Sequence, residues 1–257
     1  FLNLIFIFCV LFASAQKNSV YPIGDNIRIS SSDQWGVLFS YGMINFNGDI
    51  KQYDFRTDSE NNPDFDELRY AYNIGVRRKI SKGLIELSFS KGEMAGLKRY
   101  KDDDNLLHTR DEIYDPYNNF DGNGEKFQNQ FIEFNAAYLH SLNELNIFTA
   151  LDIFLKAGTG LNIYTAQKKD LHTNEHIYSY GYEDDVNGIN KNSWTTAPIT
   201  SIFTLGVVGE YEISNDLNLS LETTYKISID DSWDATLVGE NDSYYYFGIG
   251  IAYDVFD

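Results

Sequence analysis

The sequence predicts an all-β fold, an eight-stranded antiparallel up-and-down transmembrane β-barrel with four long loops and short turns. Three observations predict it. Segments of about ten residues alternate between an apolar or aromatic face and a small or polar face, as tilted membrane strands do. Long polar connections and short turns alternate along the chain. Charged residues of both signs recur on the face opposite to the apolar one. The 257 residues suit one domain of this kind.

The first residues are typical of a signal peptide, which we assign to residues 1–15. Residues 2–12 form an apolar run, and residues 13–15 (Ala-Ser-Ala) form a small-residue cleavage site. The run is shorter than the roughly 20 residues of a membrane-spanning helix, which argues against an anchor. We therefore expect a polar N-terminal lead-in at residues 16–33 and the barrel at residues 34–257.

Composition excludes several classes of function. The formal net charge is −18, and nucleic-acid binding needs a basic surface, so no nucleic-acid partner is expected. The only cysteine, Cys9, lies in the leader, so we expect no disulfide, structural zinc-thiolate site or thiol nucleophile in the mature chain. No cofactor and no metal site are predicted.

Four strands are expected in the first half of the barrel. They cover residues 35–44, 68–80, 83 to about 100, and about 127–139. The alternation is clearest in the first strand, where Trp35, Val37 and Phe39 share one face. Residues 45–67 and 101–125 are polar and lack apolar periodicity, which predicts two long exposed loops.

Four more strands complete the predicted barrel. They cover residues 150–164, a segment ending near residue 213, residues 217–227 and residues 244–256. Residues 165–196 and the acidic residues 230–242 predict the other two long loops, whereas residues 214–216 predict a short turn. Long loops on one side and short turns on the other are typical of outer-membrane barrels, with both chain ends on the periplasmic side.

One short turn fixes the pairing of its two strands. If residues 81–82 form a two-residue turn, Ile80 pairs with Gly83 and Arg77 lies directly opposite Glu86. A slip of one residue would mix the apolar and polar faces, so the alternation supports this register. The register predicts a cross-strand ion pair between Arg77 and Glu86.

Charged side chains decide which face points inward. A soluble β-domain would show them to water, but the apolar faces are long enough for lipid and the leader predicts export. The interior of an eight-stranded barrel is only wide enough for side chains, and charges placed there must pair. We therefore expect a compensated charge network that fills the interior as a polar plug. Its predicted members are Arg77, Glu86, Glu133, Lys156, Glu210, Glu222 and Lys226.

The closing strand, residues 244–256, carries apolar or aromatic side chains at alternate positions. We expect it to pair with residues 35–44, because a closed barrel leaves no free strand edge. Its apolar face is expected to contact lipid, and its Gly and Ala residues to face the crowded interior.

Four segments carry a resemblance to a known family: DQWGVLFSYGMINFNGDI, LRYAYNIGVRRKIS, IDDSWDA and DSYYYFGIGIAYDVF. With them the chain resembles the barrel domain of Bacteroidota outer-membrane proteins in the OmpA-like eight-stranded class. The resemblance implies an outer-membrane location, contact with membrane lipid and lipopolysaccharide, and a closing strand read by the barrel-assembly machinery. The residues that would carry this assembly signal are Tyr245, Phe247, Ile249, Ile251, Tyr253 and Phe256.

No catalytic residues are predicted. The histidines His108, His172 and His176 fall in predicted loops and His140 near a turn, where solvated side chains are expected. We therefore expect a non-enzymatic barrel with a structural or interaction role, in which the acidic loops offer a surface for an extracellular partner. Two alternatives remain open at this point. One is a narrow small-solute channel. The other is a hydrolase active at the rim, built on the carboxylates at residues 102–104 with His108, or on those at residues 184–185 with His176.

Overall fold

The computed structural model describes residues 35–50, 67–80, 82–99, 124–142, 151–171, 173–181, 195–214, 216–236 and 241–256. They form nine β-strands: β1 (Trp35–Asn47), β2 (Arg69–Ile80), β3 (Gly83–Arg99), β4 (Gly124–Ser141), β5 (Leu151–Asp170), β6 (His176–Tyr180), β7 (Ile199–Ser214), β8 (Leu217–Ser228) and β9 (Ser243–Phe256). Within these residues, no helix is long and apolar enough to cross a membrane.

Eight of the strands form a closed antiparallel barrel, as the sequence predicted. Neighbours run in the order β4-β3-β2-β1-β9-β8-β7-β5, and a further pairing of β4 with β5 closes the ring. The closing strand pairs with the first along its whole length, from Trp35 with Phe256 to Asn47 with Ser243. The short strand β6 lies outside this ring and pairs with β5.

Alternation along the strands sets an apolar outside. Phe39 and Ile249, on the predicted apolar faces of β1 and β9, are 48% and 54% exposed. Leu38 and Ala252, on the opposite faces, are buried inside the barrel. Because successive side chains of a strand point to opposite faces, this assignment extends along the strands. Toward the loop end of β3 it changes, because Ala95 and Leu97, at outer-face positions, are buried in a small cluster with Leu171.

The short connection between β2 and β3 lies at what we call the turn end of the barrel; the opposite end is the loop end. Ile80 pairs with Gly83, and Arg77 pairs with Glu86. The predicted register is confirmed. The connection from β7 to β8 is also short, since Ser214 pairs with Leu217.

The strands continue further toward the loop end than expected. β1 runs to Asn47, and both Phe46 and Ile50 are buried. The prediction of an exposed loop that begins at residue 45 is therefore wrong. The polar residues of this stretch made the alternation of its buried and exposed side chains hard to recognise. Leu68, predicted to begin the second strand, precedes β2 and is also buried.

A β-hairpin occupies part of the loop that was predicted at residues 165–196. β5 continues to Asp170, and β6 pairs back onto it with Gln167 opposite Ser179. His176 therefore begins a strand and does not lie in a loop. The extension is possible because β4 already pairs with β5 up to Glu125 and Asp170.

The largest buried apolar cluster lies inside the barrel toward the loop end. An interior that is polar throughout was therefore a wrong expectation for this half. The cluster contains Ile44, Phe46, Ile50, Ala71, Met94, Phe127, Phe131, Tyr164, Ala166, Ile202, Trp233, Ala235, Tyr244 and Tyr246.

Candidate functional site in the barrel interior

Five charged side chains form one continuous chain of ion pairs in the turn half of the interior. Arg77 Nε lies 2.7 Å from Glu86 Oε2, and Arg77 Nη1 bonds Glu210 Oε1. Lys156 Nζ continues the chain, 2.8 Å from Glu86 Oε1 and 2.6 Å from Glu222 Oε1. The order Glu210–Arg77–Glu86–Lys156–Glu222 therefore alternates in sign, and each cation is shared by two carboxylates.

A smaller group lies nearer the loop end. Lys226 Nζ bonds Glu133 Oε1, and the Tyr244 hydroxyl donates to Glu133 Oε2 at 2.6 Å. The same ammonium lies 5.5 Å from the centre of the Tyr244 ring, a cation–π contact. Glu133 thus has both oxygens satisfied by partners from two other strands.

All seven side chains predicted for the interior are buried there. They come from six strands, so the barrel closure brings them together and no single hairpin could. The predicted Arg77–Glu86 pair is confirmed, whereas the Glu210 partner of Arg77 could not be foreseen because β7 is distant in sequence. Removing one member of a buried pair leaves an uncompensated charge, which costs about 3–5 kcal/mol.

The two groups meet at a cavity of about 10 Å³, lined by Lys156, Glu222 and Lys226 among others. This is about the space that one water molecule needs. Glu222 Oε2 has no hydrogen-bond partner among the described residues. Between the two charged groups, the side chains therefore leave room for about one water molecule.

Small residues make room for the large ones. Gly248 of β9 pairs with Glu222 of β8, and a Cβ at this glycine would lie 2.4 Å from the Tyr246 hydroxyl oxygen. That hydroxyl bonds Ser40 Oγ at 3.0 Å across the β1–β9 seam. The inward Gly of the closing strand thus has a packing role, as the sequence suggested.

The loop end is filled by a segment that sequence reasoning missed. Residues 231–236, which we call the inward loop, turn into the barrel mouth, and Trp233 is 0% exposed. Its ring lies 5.6 Å from that of Tyr244. The Trp233 backbone N–H donates to Asp242 Oδ2 at 2.6 Å, and its carbonyl accepts from Asn129 Nδ2 at 2.7 Å.

A second aspartate ties the inward loop to the end of β1. Asp234 Oδ2 accepts from the Ile50 backbone N–H at 2.8 Å, and Oδ1 accepts from that of Thr236 at 2.9 Å. The hydroxyls of Tyr164 and Ser232 bond each other on the β5 side. The inward loop is therefore bonded to three walls of the barrel.

Residues 230–242 were expected to form an exposed acidic loop. This expectation is wrong for Asp234 and Asp242, which are buried. Burial raises the pKa of Asp234 to about 6. Burial, together with the nearby charge of Asp234, raises the pKa of Asp242 to about 9. A tryptophan within an acidic loop, as in IDDSWDA, was the signal that could have identified this inward turn.

A cavity of about 270 Å³ opens at the turn end. It is lined by charged and apolar side chains, among them Arg77, Glu210 and Phe154. The charged residues around its mouth are Lys79, Lys82, Asp152 and Asp254.

The predicted assembly-signal residues lie on β9. Tyr245, Ile249, Ile251 and Tyr253 are exposed on the outside, and Phe247 is half-buried there. Phe256 is the last residue of the strand and pairs with Trp35. Whether an assembly machinery reads them stays a prediction.

Several sequence candidates fall outside the described residues. They are the proposed signal peptide, the lead-in, His108, His172 and the carboxylates at residues 102–104 and 184–185. His140 lies near the turn end, where its Nδ1 is 3.3 Å from the Tyr138 hydroxyl. Among the described residues, no group of three or more His, Cys, Asp or Glu side chains could hold a metal ion.

No protein-family model matches the chain, and no curated protein is similar to it. Solved structures of outer-membrane proteins resemble it at low identity. Neisserial surface protein A is 8% identical with a TM-score of 0.47, covering 86% of this chain and 97% of its own. The outer membrane protease OmpT from Escherichia coli is 8% identical with a TM-score of 0.43, covering 88% and 98%. A major outer membrane protein from Thermus thermophilus is 12% identical with a TM-score of 0.43, covering 88% and 100%. At these values the likeness concerns the fold alone and supports no conclusion about activity or partners.

Proposed function

We propose that this chain is an outer-membrane β-barrel protein with a closed interior, which serves a structural or interaction role and has no enzymatic activity. The observation that carries the proposal is the inversion of polarity: the apolar side chains point outward and the buried charges point inward. A monomeric water-soluble protein rarely exposes a contiguous apolar patch larger than a few hundred Å². Here seven of the eight barrel strands carry exposed large apolar side chains, and the apolar side chains on the outer face of β8 are half-buried.

Aromatic residues near both ends of the outer surface support the membrane assignment. Tyr41 and Tyr70 stack with ring centres 5.5 Å apart, and Tyr225 and Tyr245 lie 4.6 Å apart toward the loop end. At the turn end, the Arg78 guanidinium lies 5.4 Å from the ring centre of Trp35. Tyr and Trp favour the interface between lipid and water, so these groups suit the two aromatic girdles of a membrane barrel.

Two layers of side chains support a closed interior. The ion-paired groups cross the interior beside the cavity at the turn end, and the inward loop with Trp233 fills the mouth at the loop end. A conducting pore would need a continuous water-filled path, for which these layers leave little space. We therefore favour a closed barrel over a narrow channel.

The two ends and the outer surface of the barrel would meet different surroundings. The long connections would face the exterior and the short turns the periplasm. The outer surface would contact membrane lipid and lipopolysaccharide, β9 would be read by the barrel-assembly machinery, and the acidic loops would offer an extracellular partner a binding surface. Origin from a Bacteroidota envelope, which the sequence resemblance implies, is part of the same proposal.

The chain purified in detergent micelles tests the proposal. We expect it to migrate differently on gels before and after boiling, because a closed barrel resists unfolding at room temperature. Reconstituted in planar bilayers at pH 5, it should show no sustained conductance. A monomer that stays soluble and folded without detergent would refute the membrane assignment. Stable open currents would refute the closed interior and favour the channel.

A further inference from the structure

Two unfavourable features lie in the inward loop. The indole Nε1 of Trp233 is buried and has no hydrogen-bond partner among the described residues. Ala235 has a φ of 59°, in the left-handed region that a residue with a side chain rarely adopts. Strain of this kind persists only where surrounding contacts hold it, and it is found at switches and clamps. The contacts of the inward loop therefore hold it against these two local costs.

One of its anchors is a carboxylate whose charge is poorly compensated. Asp242 is 0% exposed and uses Oδ2 to accept the Trp233 N–H, whereas Oδ1 has no hydrogen-bond partner among the described residues. Asp234 differs, because both of its oxygens accept backbone N–H bonds. Such bonds stabilise the ionised form, so Asp234 keeps its charge more easily and repels a charge on Asp242.

The ionisable groups around Asp242 belong to the inward loop and to several strands. Asp231 and Asp234 belong to the inward loop, and Asp49 follows β1; all three raise its pKa. On β5, Lys168 Nζ reaches the Thr236 hydroxyl at 3.4 Å and forms no described salt bridge to Asp242. The other ionisable groups that face the inward loop are Tyr164 of β5, Tyr244 of β9 and Glu133 of β4, beneath Tyr244.

We propose that the inward loop is a displaceable lid: ionisation of Asp242 drives Trp233 out of the barrel mouth and uncovers the apolar pocket beneath it. Phe46, Phe127 and Tyr244, which belong to the same buried cluster as Trp233, would line that pocket. It would accept a flat apolar group in place of the indole. The inference rests on the proposed function, since a lid has meaning only for a barrel that it closes.

The direction of the pH response follows from linkage. The closed state raises the pKa of Asp242 from its ordinary value of 3.8 to about 9, so the closed state binds the proton more tightly than the open one. The preference for closure is therefore complete below about pH 4 and declines as the pH rises toward about 9. Alkaline conditions open the lid and acidic conditions close it.

A single-tryptophan protein tests this directly. Trp35→Phe and Trp194→Phe leave Trp233 as the only tryptophan. In detergent micelles, we expect acrylamide to quench its fluorescence with a constant at least about twofold larger at pH 9 than at pH 5, because the population shifts toward the open lid. Asp242→Asn keeps an acceptor for the Trp233 N–H but cannot ionise, and should reduce the response to the smaller part that Asp234 contributes. Asp230→Asn, at an exposed aspartate nearby, is the matched control and should keep the response.

Each outcome supports or overturns the lid. Equal quenching at both pH values overturns it, and so does a full response in Asp242→Asn. If that variant does not fold, Asp234→Asn provides the second test: it removes the neighbouring charge and should weaken the response, and an undiminished response counts against the proposal. Gel mobility before and after boiling shows at each pH that the barrel is intact. An intact, non-conducting barrel with flat quenching refutes the lid alone, whereas open currents at pH 5 refute the closed interior.

Discussion

Arg77 and Glu86 face each other across the β2–β3 hairpin, and their side chains bond at 2.7 Å with almost no exposure to solvent. Arg77 also bonds Glu210 from the opposite side of the interior. One guanidinium therefore links a local hairpin to a strand that is distant in sequence.

Arg77→Met should destabilise the barrel strongly. It leaves Glu86 without one of its two cations and Glu210 without its described partner, and loss of one partner of a buried pair costs about 3–5 kcal/mol. Urea titration in micelles, followed by gel mobility, measures the loss. Arg78→Met, at the exposed neighbouring position, loses a surface contact with the Trp35 ring and should cost no more than about 1 kcal/mol. Equal stability of the two variants would contradict the structural role of the network.

Gly248→Ala should also destabilise the barrel. Its Cβ would lie 2.4 Å from the Tyr246 hydroxyl oxygen and would displace the ring from Ser40, an overpacking effect of about 1–3 kcal/mol. Gly209→Ala is the control, because its Cβ would meet only Leu151 Cδ1, at 3.7 Å. Thermal unfolding in micelles compares the two. A smaller loss for Gly248→Ala than for Gly209→Ala would show that the interior adapts more freely than its packing indicates.

Trp233→Ala should open the loop end. Removal of a fully buried tryptophan costs about 3–5 kcal/mol and leaves a cavity beneath the inward loop. We expect a lower melting temperature and faster hydrogen exchange of the backbone N–H groups of Ile50 and Thr236, which are bonded to Asp234. Trp35→Ala, at an exposed outer position, should leave those two exchange rates unchanged. Unchanged exchange in Trp233→Ala would mean that the inward loop holds its place without the indole.

Stability should fall as the pH rises through the range in which Asp234 titrates. Its folded pKa of about 6 lies above the ordinary 3.8, so its contribution is fully present below about pH 4 and lost above about pH 6. The shift corresponds to up to about 3 kcal/mol. Urea midpoints at pH 4 and pH 7 measure it, and Asp234→Asn should reduce the difference. A midpoint that rises over this range in the wild type and not in the variant would reverse the expected sign.

The sequence predicted most of the barrel because period-two alternation is a local property. The strand around Phe39 and the register of Arg77 with Glu86 needed only neighbouring residues and a two-residue turn. The interior toward the loop end was harder. Phe46 and Trp233 point inward, but they are the same residue types that face lipid elsewhere, so polarity could not separate the two faces.

Contacts across the interior were beyond sequence reasoning for another reason. Glu210 meets Arg77, and Lys226 meets Glu133, only once the ring has closed and set the stagger of its strands. Composition predicted that the charges must pair, but the choice of partner depends on that stagger. The β6 hairpin was missed because its neighbours are polar and carry no alternation.

The seam between β1 and β9 has a consequence for the kinetics of folding. Ser40 and Tyr246, which bond across it, are separated by 206 positions in the sequence. Contacts of such long range form slowly, because the entropy of closing the loop is lost before the pairing is gained. The edges of both strands stay unpaired until the last strand has been made and delivered, and unpaired edges are sites of aggregation. The nascent chain therefore needs protection for as long as this seam is open.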